Sequence, residues 1–424
     1  MNNSIRFTPL HGWHQANGAN MADFGGYDMP LWYQSAKLEH LAVLTHAGLF
    51  DTSHMAVVKV IGDDARTLLN WCFTNDLETC LGRDKKPLKN GRCVYGAFLN
   101  PSGEVIDDAI VFQVTPECYL AVVNAAMGAD ITKQLTTKIA FENVAITDLT
   151  DQLGKIDIQG PAAGKIMATL LEDPEATFTN LPYFSFKGGC GDLWPTGDTP
   201  VALKGGVPIL LSRTGYTGEF GFELFMDAAD TVSVWEMLMT TGESFGITPC
   251  GLAARDSLRG GAVLPLSHQD IGHWPFINHP WEFALPFTTD NVGFTKPFMG
   301  SEALLEARTT ADHTYAFVGN DLRKVSLPAE VLDENGSAIG EVLTCVTDMG
   351  IGLSEGRILS ITSPDKPAEF KSKGLCCGFI KVQKTLTAGE KVLLKDQRRK
   401  LKVTITEDIR PDRTARKPVK TMLG

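Results

Sequence analysis

Short apolar runs alternate with turn residues along the first 300 or so positions, and they predict a mixture of strands and helices. Strands are predicted for four runs: "MAVVKVIG" (55–62), "YLAVVN" (119–124), "KIDIQG" (155–160) and "FGFELF" (220–225). Helices are predicted from Asp63, with an acidic first turn, from Pro161, a residue suited to a first helical position, and from Ala228. The pattern indicates a mixed α and β fold.

The pattern changes near Ser301, which we predict to be the N-cap of the last clear helix. From about Tyr315 onward the chain alternates strands with turns, and Asn335-Gly336 predicts a hairpin. Further strands are predicted at "CGFIKV" (377–382), "KVLLK" (391–395) and "LKVTITE" (401–407). A separate C-terminal β domain of roughly 100 residues follows from this change.

Two adjacent carboxylates, Asp107 and Asp108, interrupt "VIDDAIVF" (105–112), which otherwise reads as a strand. Because side chains alternate between the faces of a strand, Asp107 shares a face with Ala109, and Asp108 shares the other with Ile110. At least one carboxylate therefore points where a core is expected. Since an ionised carboxylate is costly to bury without partners, it must be hydrogen-bonded, paired, or facing a wet cleft.

The composition is that of a globular chain with room for a sizeable core. It has 424 residues, of which 43% are hydrophobic, and this length favours about two to three domains. A formal net charge of −11 argues against nucleic acid or an anionic membrane as a main partner. Without an apolar leader or membrane-length run, we expect a cytoplasmic protein. The nine scattered cysteines, with no CxxC pair, predict reduced and mostly buried thiols.

The stretch from 395 to 420, "KDQRRKLKVTITEDIRPDRTARKPVK", is basic in an otherwise acidic chain. A solvated edge strand and terminus would explain these charges. The alternative is a docking patch for an acidic partner protein. Both interpretations stay open at this point.

Several ordered motifs resemble the glycine-cleavage T-protein family, the tetrahydrofolate-dependent aminomethyltransferases. They are "TPLHGWHQANGANMADFGGYDMPLWY", "EHLAVLTHAGLFDTSHM", "GRCVYGAFLN", "LNPSGEVIDDAIVF", "IQGPAA", "RTGYTGEFGFELF" and "CGLAARDSLR". The resemblance covers most of the first 310 or so residues and weakens beyond them. It implies an α+β, three-domain, cloverleaf-like folate-binding fold that ends in a small β barrel.

The resemblance also implies a division of the chain into three domains. The folate-binding first domain would comprise residues 1–57 plus 150–235. The second, an α+β domain carrying the "IDD" strand, would comprise residues 58–149 plus 236–295. The C-terminal β-barrel domain would comprise residues 296–424.

By the same resemblance, the catalytic carboxylate corresponds to Asp107. A fixed carboxylate near the reacting folate nitrogens can orient the folate, stabilise developing positive charge and assist proton movement. Tyr216 would pack near the pterin, and Glu223 would accept hydrogen bonds from its amino-pyrimidine edge. We expect a structural role for Asp108, such as capping backbone amides or pairing with a base.

Four further positions carry expectations from the same family. Arg255 is the expected folate-binding arginine, with Arg259 as the second candidate. Tyr95 and Asn124 would line the folate cavity. Two histidines in the N-terminal motifs, His40 and His54, are expected to be hydrogen-bonded structural residues rather than catalysts.

The sequence departs from the family after Arg259, where Leu-Glu-Ala-Gly and then Leu-Tyr-Gly are usual. Here the chain reads "GGAVLPLSH" (260–268), and the two glycines predict a different backbone path or extra space. The following histidines, His268, His273 and His279, have no standard zinc spacing, so we expect no metal.

Three functions remain to be separated. The first is an aminomethyltransferase that uses tetrahydrofolate and a lipoylated, H-type carrier protein as donor. The second is a tetrahydrofolate-dependent demethylase of a small S-, N- or O-methyl compound, suggested by the altered segment. The third is a non-catalytic folate-binding protein with an assembly or regulatory role.

Overall fold

The computed structural model describes residues 5–137 and 143–423. Over these residues nine α-helices are present: α1 (His11–Ala16), α2 (Ala36–Thr45), α3 (Ala65–Cys72), α4 (Gly128–Thr137), α5 (Ala163–Leu170), α6 (Pro174–Phe178), α7 (Thr231–Gly242), α8 (Leu252–Gly261) and α9 (Ser301–Ala307). Short 3-10 turns occupy Thr150–Gln152, Ala228–Asp230, Glu243–Phe245, Glu282–Ala284 and Val419–Met422.

The strands follow the apolar runs of the sequence. In chain order they are β1 (Asn20–Phe24), β2 (Tyr27–Trp32), β3 (Ala47–Asp51), β4 (Ala56–Ile61), β5 (Arg92–Leu99), β6 (Val105–Thr115), β7 (Cys118–Val123), β8 (Ala145–Asp148), β9 (Leu153–Gln159), β10 (Phe186–Gly188), β11 (Ala202–Leu203), β12 (Val207–Pro208), β13 (Leu210–Ser212) and β14 (Gly221–Asp227). They continue with β15 (Ile247–Pro249), β16 (His313–Gly319), β17 (Glu330–Leu332), β18 (Ala338–Asp348), β19 (Ile351–Ser354), β20 (Arg357–Ser360), β21 (Leu375–Val382), β22 (Lys391–Lys395) and β23 (Lys400–Thr406).

A six-stranded sheet with the order β10-β13-β14-β9-β3-β15 forms the first layer. Its pairs are antiparallel except β15 with β3. Ile156 and Ile158 of β9 and Leu224 of β14 belong to the core that α5 and α7 cover. Because side chains alternate along a strand, Lys155 and Asp157 lie on the opposite face of β9.

A five-stranded sheet with the order β5-β6-β7-β4-β8 carries the "IDD" strand, β6. Helices α3 and α4 supply Leu69 and Leu135 to its core, where they meet Val111 of β6 and Ala121 of β7. The predicted strand over 105–112 is therefore confirmed, and it lies between two neighbours, β5 and β7.

The C-terminal region forms a closed barrel with the order β16-β21-β18-β17-β22-β23, in which β23 also pairs with β16. The turn between β17 and β18 contains Asn335-Gly336, and Gly336 has a φ of 85°, which suits glycine. The predicted α+β class and C-terminal β barrel are confirmed.

The predicted N-cap at Ser301 is wrong by one position. Gly300 precedes the first helical residue of α9, with a φ of 83°, and Ser301 is itself helical. A side chain at 300 would place its Cβ 2.7 Å from the carbonyl oxygen of Asn100. The tight approach and the left-handed backbone therefore make this position a glycine.

The division into three domains stays a proposal. The strands of the six-stranded sheet come from 47–51, 153–227 and 247–249. The last of these ranges belongs to the stretch assigned from the sequence to the second domain.

All nine cysteines are free thiols, eight of them buried. Within the described part of the chain, no helix is long and apolar enough to cross a membrane.

Candidate active site

Helix α8 and two sheets bring the predicted residues to one junction. The helix packs against α2, β2 and the barrel strands β18 and β21. Asp107 and Asp108 approach it on β6, Glu223 lies on β14, and Arg255 lies on α8. Tyr216 follows β13 in the loop that leads to β14, so three separate parts of the chain build the site.

Asp107 is fully enclosed, with 0% of its surface exposed. Its Oδ2 accepts a hydrogen bond of 2.8 Å from the backbone amide of Asn124, and its Oδ1 accepts one of 2.8 Å from the Asn124 side chain. The hydroxyl of Ser267 donates to Oδ1 at 2.7 Å. Burial raises the pKa of Asp107 to about 6, although these hydrogen bonds act in the opposite direction.

Asp108 is only half-buried and faces the other way. Its Oδ2 accepts a hydrogen bond of 2.8 Å from the hydroxyl of Tyr95, and its Oδ1 accepts one of 2.7 Å from the side chain of Asn124. Burial and then the charge of Asp107 raise the pKa of Asp108 to about 7. One amide group of Asn124 therefore bridges two carboxylates that resist being ionised together.

The expected partners of Asp108 are wrong. Asp107, not Asp108, caps a backbone amide, and the partners of Asp108 are a phenol and a carboxamide rather than a base. Strand β7 ends at Val123, which lies opposite Ala109 of β6. The amide of Asn124 therefore has no backbone acceptor from the pairing of these two strands and needs another one. Ala109, which shares a face of β6 with Asp107, is 3% exposed, so the surroundings of Asp107 on that face are enclosed.

Glu223 lies in a buried network of charges on the face of the six-stranded sheet opposite the apolar core. Lys155 donates to Glu223 at 2.6 Å and to Asp157 at 2.7 Å, and Thr214 donates to the second oxygen of Glu223. Although burial raises the pKa of Asp157, the charges of Lys155 and Arg255 outweigh it and lower that pKa to about 2. Asp157 is therefore ionised in the folded chain.

Arg255 and Tyr216 extend this network toward Asp108. Arg255 donates to Asp157 at 2.8 Å, and its guanidinium carbon lies 4.8 Å from the centroid of the Tyr216 ring. The Tyr216 hydroxyl donates to the carbonyl oxygen of Pro265. The negative charges of Asp108 and Asp270 help to keep the pKa of Tyr216 raised, after burial as the main cause.

Arg259, the second candidate for a folate contact, is fully buried and occupied. It donates to Asp256 at 2.8 Å and to Thr344 at 3.0 Å, and it forms an ion pair with Asp270. Its neighbours Asp270 and Asp256 raise its pKa against the effect of burial. These contacts fix α8 to the barrel, whereas the side chain of Arg255 is 11% exposed.

The extra space expected at the two glycines is not present, whereas the expected difference in backbone path stays a prediction. Both Gly260 and Gly261 are helical residues at the end of α8. A Cβ at Gly260 would lie 2.6 Å from Val346, and one at Gly261 would lie 1.8 Å from Asp348. The glycines therefore let the barrel approach the helix closely, and they do not open a cavity.

No prediction from the sequence covers Lys155, Asp157, Ser267 or Phe283. Lys155 and Asp157 alternate with isoleucines in "KIDIQG", so charged residues interrupt an apolar strand sequence there. The same signal marks Asp107 and Asp108 in the sequence of β6. Phe283 is 65% exposed, and its ring centroid lies 5.7 Å from that of Tyr95. Since an exposed aromatic residue gives no periodic signal, this neighbour of the site could not be found from the pattern alone.

The N-terminal histidines lie in the structure as buried residues. His40 contacts Asp348 through Nε2 at 2.9 Å and Ser257 through Nδ1 at 2.8 Å. His54 is buried against Phe24, and burial lowers its pKa to about 4. Across residues 5–137 and 143–423, no group of three His, Cys, Asp or Glu side chains has an arrangement that could hold a metal ion.

Comparison with known proteins gives a consistent result. The family model described as the GCVT N-terminal domain matches residues 10–290. An aminomethyltransferase of Halalkalibacterium halodurans is 38% identical over 269 residues, which are 63% of this chain and 67% of that protein. Another, of Desulforamulus reducens, is 34% identical over 386 residues, which are 87% of this chain and 96% of that protein.

A solved structure shares the fold over nearly the whole chain. It is described as the glycine cleavage system aminomethyltransferase T from Bartonella henselae. The match has a TM-score of 0.73 with 24% sequence identity and covers 95% of this chain and 97% of that one. The arrangement of the three sheet systems is therefore that of a known fold.

Proposed function

Because this chain belongs to the glycine cleavage T-protein family of aminomethyltransferases, we propose that it transfers a methylene group from an aminomethyl-lipoyl carrier protein to tetrahydrofolate, with release of ammonia. As a member of this family it is an enzyme of the transferase class. The observation that carries the proposal is the pair Asp107 and Asp108, held by one Asn124 beside the network of Glu223 and Arg255.

The donors and acceptors at the junction fit tetrahydrofolate. The folate supplies the nitrogen atoms that take over the one-carbon unit. A flat pterin needs an aromatic surface and an acceptor for its amino-pyrimidine edge, which Tyr216 and Glu223 provide. Glu223 is 6% exposed, and each of its oxygens has two acceptor positions, so its bonds to Lys155 and Thr214 leave capacity for a ligand.

We assign the two carboxylates linked tasks. The prediction that Asp107 is catalytic stays a prediction, and we add Asp108 as the member that would meet the ligand. Asp108 is half-buried beside Tyr95, whereas Asp107 is enclosed by Asn124 and Ser267. Asp108 would then take up and release a proton, and Asp107 would hold Asn124 in place and set the charge of the pair.

In this proposal Arg255 contacts the folate directly, and it also supports the folate site indirectly through the ring of Tyr216. Its ion pair with Asp157 fixes one side of the guanidinium, and the contact with the Tyr216 ring fixes its plane. The ring of Tyr216 is in turn held by the hydrogen bond to Pro265. Such mutual support keeps a binding site in one geometry before the ligand arrives.

The carrier protein would dock on the basic C-terminal segment. A groove of about 1370 Å³ is lined by a set of cationic side chains from separate parts of the chain: they are Lys89, Arg92, Lys187, Arg416, Lys417 and Lys420. Tyr183 and Phe178 add aromatic surface to the same groove. An acidic carrier carrying a lipoyl arm would find both charge complementarity and apolar contacts there.

The demethylase interpretation has less support. It was suggested by the altered segment after Arg259, and the two glycines of that segment are accounted for by the close approach of Val346 and Asp348. The retention of a carboxylate pair beside Glu223 gives no support to a non-catalytic role. The aminomethyltransferase function is the one that the site supports best.

The test follows two products at once. The purified chain is mixed with tetrahydrofolate and the aminomethyl-loaded lipoyl carrier, and ammonia and 5,10-methylene-tetrahydrofolate are measured together. Equal formation of both is the expected result. Folate binding without either product would contradict the proposed donor, and a screen of small methylated compounds would then replace the carrier.

A further inference from the structure

His268 stands next to the carboxylate pair in an unusual backbone conformation. Its φ is 63°, in the left-handed region that favours glycine and costs other residues energy. Its side chain is 39% exposed, and its Nε2 lies 3.7 Å from Oδ1 of Asp107, which has no exposure of its own. An imidazole therefore stands between solvent and an enclosed carboxylate.

The loop that presents His268 is fixed on both sides. Ser267 donates to Asp107 at 2.7 Å, and Asp270 accepts hydrogen bonds from the amide of Leu266 at 2.9 Å and from Thr344 at 2.6 Å. Asp270 also pairs with the buried Arg259. Strain that persists in an over-determined loop often marks a functional position.

The surroundings of His268, burial above all, favour the neutral imidazole. Burial and then the nearby His273, whose ring centroid lies 6.1 Å away, lower the pKa of His268. Asp108 and Asp130 act in the opposite direction, and Asp107 faces the ring at 3.7 Å. A neutral imidazole beside a carboxylic acid can accept its proton and pass one on from the other nitrogen.

We propose that His268 is a positioning residue that relays protons between the enclosed Asp107–Asp108 pair and solvent. The inference rests on the proposed aminomethyl transfer, because it concerns the protons that this reaction moves. The geometry that carries it is the 3.7 Å approach of His268 to Asp107, the shared Asn124 amide, and the exposed outer edge of the ring.

The proton steps balance without any oxidant or reductant. Two protons leave nitrogen atoms of the folate during the transfer, while the departing amine and the departing thiolate each gain one. A proton held by the carboxylate pair passes to Nε2 of His268 as the carboxyl O–H bond breaks, and the imidazolium returns a proton from Nδ1 to solvent. Running in reverse, the same path supplies the proton that a leaving group needs.

The test compares His268→Gly and His268→Gln with wild type. Glycine suits the left-handed backbone, so the first variant should fold at least as stably. Without the imidazole we expect turnover to fall at least about tenfold and its pH profile to change shape. Added imidazole should restore a measurable part of the rate to His268→Gly only. His313→Gln, which removes a barrel histidine stacked on Tyr315, serves as the control and should behave as wild type.

A second readout needs no turnover. In the folate-free protein, the aspartate carboxyl carbons are followed by NMR against pH in wild type and His268→Gln. Loss of the imidazole should raise the pKa of the pair, because His268 lowers the pKa of Asp108 in the fraction of molecules in which its ring is protonated. Unchanged titration, or unchanged turnover and pH profile in both variants, would overturn the relay. If wild type lacks aminomethyl transfer while the titration shifts, the donor assignment fails and the coupling of His268 to the pair stands.

Discussion

The ammonium group of Lys155 lies 2.6 Å from a carboxylate oxygen of Glu223, and both side chains are almost completely buried. The two residues come from neighbouring antiparallel strands, β9 and β14. Lys155 also contacts Asp157, which in turn contacts Arg255. The proposed pterin acceptor is therefore held by a chain of charges rather than by a single contact.

Replacing Lys155 with methionine should destabilise the protein and weaken folate binding. The change leaves Glu223 buried without its cation, and breaking a buried pair in this way costs about 3 kcal/mol of unfolding free energy. Denaturant unfolding and folate titration measure the two effects. Lys395→Met is the matched control, since its pair with Glu330 is exposed on both sides and should contribute about 0.5 kcal/mol or less.

Asp107→Asn should leave folding intact while lowering turnover at least about tenfold. Asparagine keeps one oxygen for the amide of Asn124, but its amino group meets the donors of Asn124 and Ser267. Asp108→Asn should lower turnover as strongly, because the group proposed to carry the proton at the ligand is lost. Single-turnover rates and folate affinity are measured for both. Near-normal rates in one variant would remove that residue from the proposed pair.

The stability of the protein should carry a signature of the carboxylate pair. The pKa of Asp108 is raised to about 7, whereas its ordinary value is about 4. Between these two pH values the folded chain holds a proton that the unfolded chain releases. This contribution is present at low pH and is lost as the pH rises through the folded pKa. Relative to Asp108→Asn, wild type should therefore lose about 1 to 2 kcal/mol of unfolding free energy between about pH 5 and about pH 8, allowing for solvent screening. A difference independent of pH would contradict the raised pKa.

The elements that periodicity predicts are those whose apolar residues repeat within the element itself. Strands β4, β7, β9 and β14 and helices α3 and α5 lie where the pattern placed them. The position of Ser301 could not be assigned correctly, because the contact of Gly300 with Asn100 comes from a distant part of the chain. The same holds for the glycines at 260 and 261, whose neighbours lie in the barrel.

The same difference between local sequence patterns and long-range contacts applies to the candidate site. That β6 carries an unusual pair of carboxylates is visible in the sequence, and so is its strand geometry. Which carboxylate is enclosed depends on where β7 ends and on Ser267, which lies 160 positions from Asp107 along the chain. Long-range partners of this kind have no local pattern, so the sequence could not show which of the two carboxylates is enclosed.

Gly261→Ala should strongly destabilise the protein, because its Cβ would lie 1.8 Å from Oδ2 of Asp348. That oxygen accepts a hydrogen bond of 2.5 Å from Arg410, while the other oxygen contacts His40 at 2.9 Å. We expect the unfolding free energy to fall by about 2 kcal/mol or more, because the new methyl group overpacks the site and breaks buried ion pairs. Gly12→Ala is the control, since no atom lies within 4 Å of its Cβ in α1, and it should be neutral or stabilising.

Carrier docking on the basic C-terminal segment predicts a selective effect of charge reversal. Lys417 and Lys420 are exposed at the groove, so Lys417→Glu with Lys420→Glu should raise the KM for the loaded carrier while folate affinity stays unchanged. The effect should shrink as ionic strength rises, because exposed charges are screened over about 8 Å at physiological salt. Lys402→Glu, an exposed charge of the same basic stretch but on β23 of the barrel, should leave that KM unchanged. If Lys402→Glu also raises that KM, the carrier responds to overall charge, and the groove is not its docking site.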